Sequence, residues 1–194
     1  MITMLISKLE KQRAARMLLS RGYIKYKKNY FIGQRNSEVI SGVAIDAPPS
    51  AFRIFTFVLP LYDVIDELNL ALGDLAYDYR DGKTDIVEGA AYFEKFILPI
   101  RTSSLLVEYI EENYQNHGYR TWLYYISLLK SGQYKKAIEL NIASSGNIPE
   151  KIYDRSYALE HMLRNGLFEQ ISITMQSWTD HTALQFKDIP FFSV

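Results

Sequence analysis

An α+β fold is predicted for this 194-residue chain by three observations. A leading run has helical spacing, three strand-type runs follow one another between Tyr30 and Leu61, and the period switches to that of a helix at Asp63 and stays there. The expected architecture is an N-terminal helix and a three-stranded antiparallel meander, followed by a mostly helical C-terminal region. A single domain, 1–194, accommodates it, with a helix-plus-sheet part at 1–62 and a helical part at 63–194.

Each element has its own warrant. Ile2 to Ser20 carries apolar residues at 2, 5, 6, 9, 17 and 18 on a rough helical stripe, and Gly22 stands where a left-handed residue would end a helix. Tyr30–Ile32, Val39–Ile45 and Phe52–Leu59 are rich in β-branched and aromatic residues, which suit a pleated, half-buried surface. Asn36-Ser37 marks a turn between the first two, and Pro48-Pro49 must break the second because neither can donate to a ladder. Gly42, inside a strand, marks a bulge or a close backbone approach. The third run is apolar on both faces, so one face needs a cover, and the first helix can supply it.

From Asp63 the spacing predicts a helix through Val64, Ile65, Leu68, Leu72, Leu75 and Ala76, with Asp63 as its N-cap, Asp66 as the third residue and Asp81-Gly82 as its end. Asp85 opens another, holding Ala90, Phe93, Phe96 and Ile97, closed by Pro99. Ser103 or Ser104 starts a third, ending near Gly118, and Tyr119–Lys130 and Gln133–Ala143 form a helical pair around Ser131-Gly132. Pro149–Asn165 and Leu167 to about Thr182 complete the set, and Phe186–Val194 is expected to dock as an extended segment.

Composition narrows the class. Apolar residues are 48% of the chain, enough for a true core. The absence of cysteine removes disulfides, thiolate catalysis and cysteine-ligated zinc. The charge order at the start is wrong for a signal peptide, and no window approaches a membrane span, which points to a soluble cytoplasmic protein with no membrane partner. Net charge is zero but uneven. Residues 1–30 carry eight cations against Glu10 alone, whereas 62–88 carry eight acids against Arg80 and Lys83. These clusters either complement each other within the fold or offer an acidic surface to a basic partner.

No catalytic motif stands out. His117, His161 and His181 are isolated, Ser177 and His181 four apart is a common coincidence, and there is no phosphate loop. No cofactor or metal is expected. The run K-Y-K-K-N-Y-F could contact phosphates and bases, but it also fits an edge strand guarded by lysines, and the charge balance weighs against a nucleic-acid binder.

Two resemblances follow from quoted residues. W-L-Y-Y-I-S-L-L-K-S-G-Q-Y-K-K-A-I-E-L, Trp122–Leu140, resembles one helical hairpin of the tetratricopeptide type, with Gly132, Tyr134 and Ala137 at the turn and close-contact spacing; no second copy is visible at a 34-residue period, so it reads as an ordinary packed hairpin. R-G-Y-I-K-Y-K-K-N-Y-F, with F-V-L-P-L-Y downstream, resembles small bacterial α+β proteins of unnamed function often associated with polymorphic-toxin immunity, over about residues 5–62. That likeness implies a binding protein, an immunity or inhibitor protein that masks a toxin or another enzyme. An enzyme with a non-motif site and a helical scaffold or adaptor module are the alternatives. The expected partner is a protein with a basic surface, met by Asp63, Asp66, Glu67, Asp74, Asp78 and Asp81 with Tyr77 and Tyr79 as aromatic anchors.

Overall fold

In the structure, a computed structural model, helix α1 (Ile2–Ser20) ends as its sequence dictates. Gly22 takes φ +90°, its N–H reaches the carbonyl of Leu19, and the Tyr23 N–H reaches that of Leu18. This paired bonding uses up carbonyls that the helix end would otherwise leave open, and Leu18 and Tyr23 are both buried beside it. The buried stripe of α1 runs through Ala14 and Leu18; Leu9, expected on that stripe, is exposed. The described residues are 2–27, 29–46, 53–66, 77–78, 86–113, 118–142 and 148–194.

The chain forms an α+β fold of two compact units, one comprising 1–59, 75–100 and 188–194, the other 60–74 and 101–187. The sheet unit thus draws on two later stretches of chain besides 1–59, and 60–62, expected with the sheet, fall in the helical unit.

Its sheet runs β1 (Ile24–Tyr26), β2 (Tyr30–Arg35), β3 (Val39–Asp46), β4 (Arg53–Pro60) and β5 (Tyr77–Asp78), with β6 (Phe192–Ser193) paired to β2. The meander expected from the sequence is β2–β3–β4, antiparallel. β1 lies outside that meander, in the basic aromatic run that also fitted a lysine-guarded edge strand: the run folds as a hairpin with Tyr26 opposite Tyr30 and Ile24 opposite Ile32. Lys25 lies exposed on this edge strand, the position from which lysine discourages further pairing. The Asn36 turn is held by its own side chain, whose Oδ1 accepts the N–H groups of Glu38 and Val39, each at 2.8 Å.

β2 and β3 change register between Ile32 opposite Gly42 and Gln34 opposite Ser41, which leaves Gly33 as a bulge. Two close approaches explain the glycines. A Cβ on Gly42 would lie 2.2 Å from the Phe31 carbonyl oxygen, and one on Gly33 would lie 2.5 Å from Cε1 of Phe93. Phe93 stands where α2 (Ile86–Tyr92) widens into a π turn, Phe93–Ile97. Its ring packs on Tyr23 at 5.5 Å, while Phe96, expected inside, is exposed because the wider turn changes the period.

The helical unit contains α3 (Ser103–Asn113), α4 (Gly118–Lys130), α5 (Tyr134–Leu140), α6 (Tyr153–Arg164) and α7 (Phe168–Gln185), with a short 3₁₀ turn at Glu150–Ile152. Thr102 caps α3 by accepting the Leu105 N–H. Glu111 of α3 accepts hydrogen bonds from Lys136 and Tyr124, each at 2.7 Å, and ties three helices together; Lys136 first and Tyr124 second hold its carboxyl below the usual range.

One expectation from the sequence needs correction here. The helix predicted to start at Asp63 does not form over Val64–Asp66, and Tyr77–Asp78, predicted within it, form strand β5 against Phe55 and Thr56. Residues 67–76 lie outside the described residues. Gly166 stands 34 residues after Gly132, and both take positive φ at the end of a helix. At the same step Tyr134 is matched by Phe168, and the two rings stack at 4.4 Å; Leu129 and Leu163, and Ala137 and Ile171, are buried pairs. The second hairpin, α6–α7, thus has a positive-φ glycine and buried residues at the same 34-residue step as α4–α5.

Candidate functional site

The segment that leaves β4 carries the most densely bonded polar centre of the helical unit. Pro60 ends the strand, and Leu61 and Tyr62 follow, both buried. Ser127 donates its own proton to the Leu123 carbonyl, so the Tyr62 hydroxyl must be the donor in the 2.9 Å bond to Ser127 Oγ. Asp63 comes next and is 1% exposed.

Four donors surround the Asp63 carboxylate. Oδ1 accepts the Val64 N–H at 2.8 Å and Arg155 Nη1 at 2.6 Å; Oδ2 accepts the Tyr119 hydroxyl at 2.6 Å and Trp122 Nε1 at 3.0 Å. A carboxylate has about four lone-pair sites, so this one is saturated. Sequence spacing explains the convergence: Tyr119, Trp122 and Ser127 recur along one face of α4, where residues three, four and eight apart align. Arg155 arrives from α6, and its guanidinium lies 5.5 Å from the Trp122 ring and 5.6 Å from the Trp178 ring, an arrangement that desolvates the cation yet favours it electrostatically. Thr182 of α7 clamps the backbone on either side, donating to the Asp63 carbonyl and accepting the Ile65 N–H at 3.0 Å. Burial, then the charge of Asp63, push the Tyr119 hydroxyl well above its ordinary pKa, so it remains a donor.

Asp63 therefore leaves the acidic surface on which the sequence placed it. Its place at the head of an apolar run, three residues before Asp66, imitates a helix cap, but its carboxylate is taken by side chains of α4 and α6. Asp66 is well exposed, and its Oδ1 meets His181 Nε2 at 2.8 Å. Ser177 precedes His181 by one helical turn, yet the histidine and aspartate side chains are 46% and 78% exposed, so the pair is solvated and lacks the shielding on which a nucleophilic triad depends. Asp78 and Tyr77 form β5; Glu67, Asp74, Tyr79 and Asp81 lie outside the described residues.

His161 is exposed and bonds locally to Asn165, and His117 lies outside the described residues. Among the described residues no group of three potential metal ligands comes together. Also among them, no helix is long and apolar enough to cross a membrane. Of the basic residues of α1 and its end, Arg21 pairs with Glu94 at 3.1 Å, and Lys11 donates to Asn29 at 2.6 Å.

The sequence missed the Asp63 centre, although its components were visible: a carboxylate directly after an apolar strand, and Tyr and Trp three residues apart on a helix. Comparison with protein families, with curated proteins and with solved structures finds no match.

Proposed function

We propose that this chain is a binding protein, of the immunity or inhibitor kind that masks a toxin or another enzyme by surface contact. The observation that carries the reading is the saturation of Asp63. The carboxylate best placed by burial to act as an acid or base already has four protein donors, which suits an anchor rather than a catalyst. What the helical unit offers outward is the Asp66–His181 pair and, beyond it on α7, the Gln176–Asp180 pair at 2.8 Å. Tandem helical hairpins are a common frame for such surfaces. A basic partner protein would be steered by the acids, while affinity would rest on desolvated anchors.

The test is co-expression with the protein encoded beside it, followed by stopped-flow association at two salt concentrations. The expected result is a stoichiometric complex whose association slows with salt and slows again in Asp66→Lys/Asp180→Lys. A chemical turnover that disappears in Ser177→Ala or His181→Ala would replace this reading with an enzymatic one.

A further inference from the structure

The bulge at Gly33 divides the outer edge of β2 into two parts. From Tyr30 to Ile32 the edge is closed by β1, which belongs to the same hairpin. From Gly33 to Arg35 it is closed by β6, which arrives from the far end of the sequence: Arg35 pairs with Phe192, Gln34 pairs with Ser193, and the Val194 N–H donates to the Gly33 carbonyl at 2.9 Å.

The slot is fixed from behind, independently of what fills it. Gln34 Nε2 donates to the Ile100 carbonyl at 2.9 Å, and the Phe93 ring fills the space over Gly33. Arg35 is nearly buried in it, and its guanidinium reads an extended chain in two ways: Nη1 donates to the main-chain carbonyl of Ile189, and the Phe191 ring lies over it with 5.1 Å between guanidinium carbon and ring centroid. The occupant is anchored at Ile189, 2% exposed, and is lightly held beyond it. Its ladder is two residues long, Phe191 is 68% exposed and Val194 36%.

We propose that the Gly33–Arg35 edge is a docking slot for an extended peptide strand, uncharged over its pairing residues and with an aromatic residue over Arg35, which segment 188–194 fills in cis and which such a strand from a partner protein fills by displacing it. The chemistry of the partner is read from the present occupant, Pro190-Phe191-Phe192-Ser193-Val194: backbone donors and acceptors for the ladder, a ring for the guanidinium, and no charge beside a buried cation. The edge belongs to the sheet unit and does not depend on the acidic surface proposed for the helical unit.

The probe is a fluorescein-labelled peptide of sequence DIPFFSV, titrated by anisotropy into the full chain and into a full-length Phe192→Pro/Val194→Pro variant, whose segment cannot complete its ladder. The expected result is saturable binding at least ten-fold tighter to the variant, reduced at least ten-fold by adding Arg35→Ala and absent for a scrambled peptide. Equal affinity for the two chains, or indifference to Arg35→Ala, overturns the proposal. If the variant does not fold, the native chain is labelled with the same peptide carrying a photoreactive benzophenone at the second phenylalanine. Labelling confined to residues 33–35 and competed by unlabelled peptide supports the slot, and labelling elsewhere or none sinks it.

Discussion

Asp63 has as many donors as lone-pair sites, and exchanging it for Asn sets an NH2 donor against two of them and removes the charge that Arg155 faces. Asp63→Asn is expected to cost about 3 kcal/mol in urea unfolding, the low end for breaking a buried pair, because the Arg155 side chain is a quarter exposed. Thr182→Val keeps the shape but removes both backbone clamps, and about 1–3 kcal/mol should be lost. Both tryptophans of the chain flank Arg155, so intrinsic fluorescence should register either change directly. A separate outcome concerns alkali. Burial is the leading cause that raises the pKa of Tyr23, Tyr119 and Tyr125, so the fold favours their neutral form. Their contribution is complete below the unfolded tyrosine pKa of about 10 and is lost as pH climbs through the folded values. Stability measured by urea midpoint should therefore fall above about pH 10, and Tyr23, Tyr119 and Tyr125 should ionise late in an absorbance titration.

Among the elements, irregularity is where sequence reading stopped. The runs at Val39–Ile45 and Phe52–Leu59 were legible as strands because β-branched and aromatic residues dominate them, and the ends of α1, α4 and α6 were legible because glycine marks them. The run around β1 was legible as a lysine-guarded edge, but a strand of three residues with one lysine, Lys25, is too short for its bounds to be read. The π turn at Phe93 was hidden because its packing partner, Gly33, is far away in sequence. Asp63 was misread because a local pattern for a cap and a long-range anchor look alike in one dimension. The two kinds of glycine should respond differently to alanine. Gly42→Ala forces backbone against Phe31 and is expected to cost several kcal/mol, at or above the usual ~1–3 kcal/mol of overpacking, whereas Gly132→Ala meets open space and should cost only the ~1–2 kcal/mol of a left-handed backbone. Equal thermal shifts for the two would contradict the close approach.

At the scale of the whole molecule, the chain passes between its two units four times, at 59/60, 74/75, 100/101 and 187/188. Neither unit is a continuous segment, and each depends on a short piece from elsewhere. A fragment of residues 101–187 holds every helix from α3 to α7 but lacks Asp63, so Tyr119, Trp122, Arg155 and Thr182 lose their shared partner. That fragment should show helical circular dichroism without a cooperative melt, and a peptide of residues 60–74 added in trans should restore the melt. A cooperative transition in the fragment alone would remove Asp63 from its place as the keystone of the unit.

Synthesis makes that dependence a matter of time. Asp63 leaves the ribosome 119 residues ahead of Thr182. At about 5–20 residues per second the clasp waits roughly 6–24 s for its last component. The sheet waits longer still, since the edge of β2 next to Gly33 stays open until Val194 is made. During translation, therefore, neither unit closes before Thr182 is made, and the edge of β2 next to Gly33 stays uncovered until 192–194 follow. Overexpression at low temperature, which slows competing aggregation, should matter more for this protein than for one whose sheet closes within its first hundred residues.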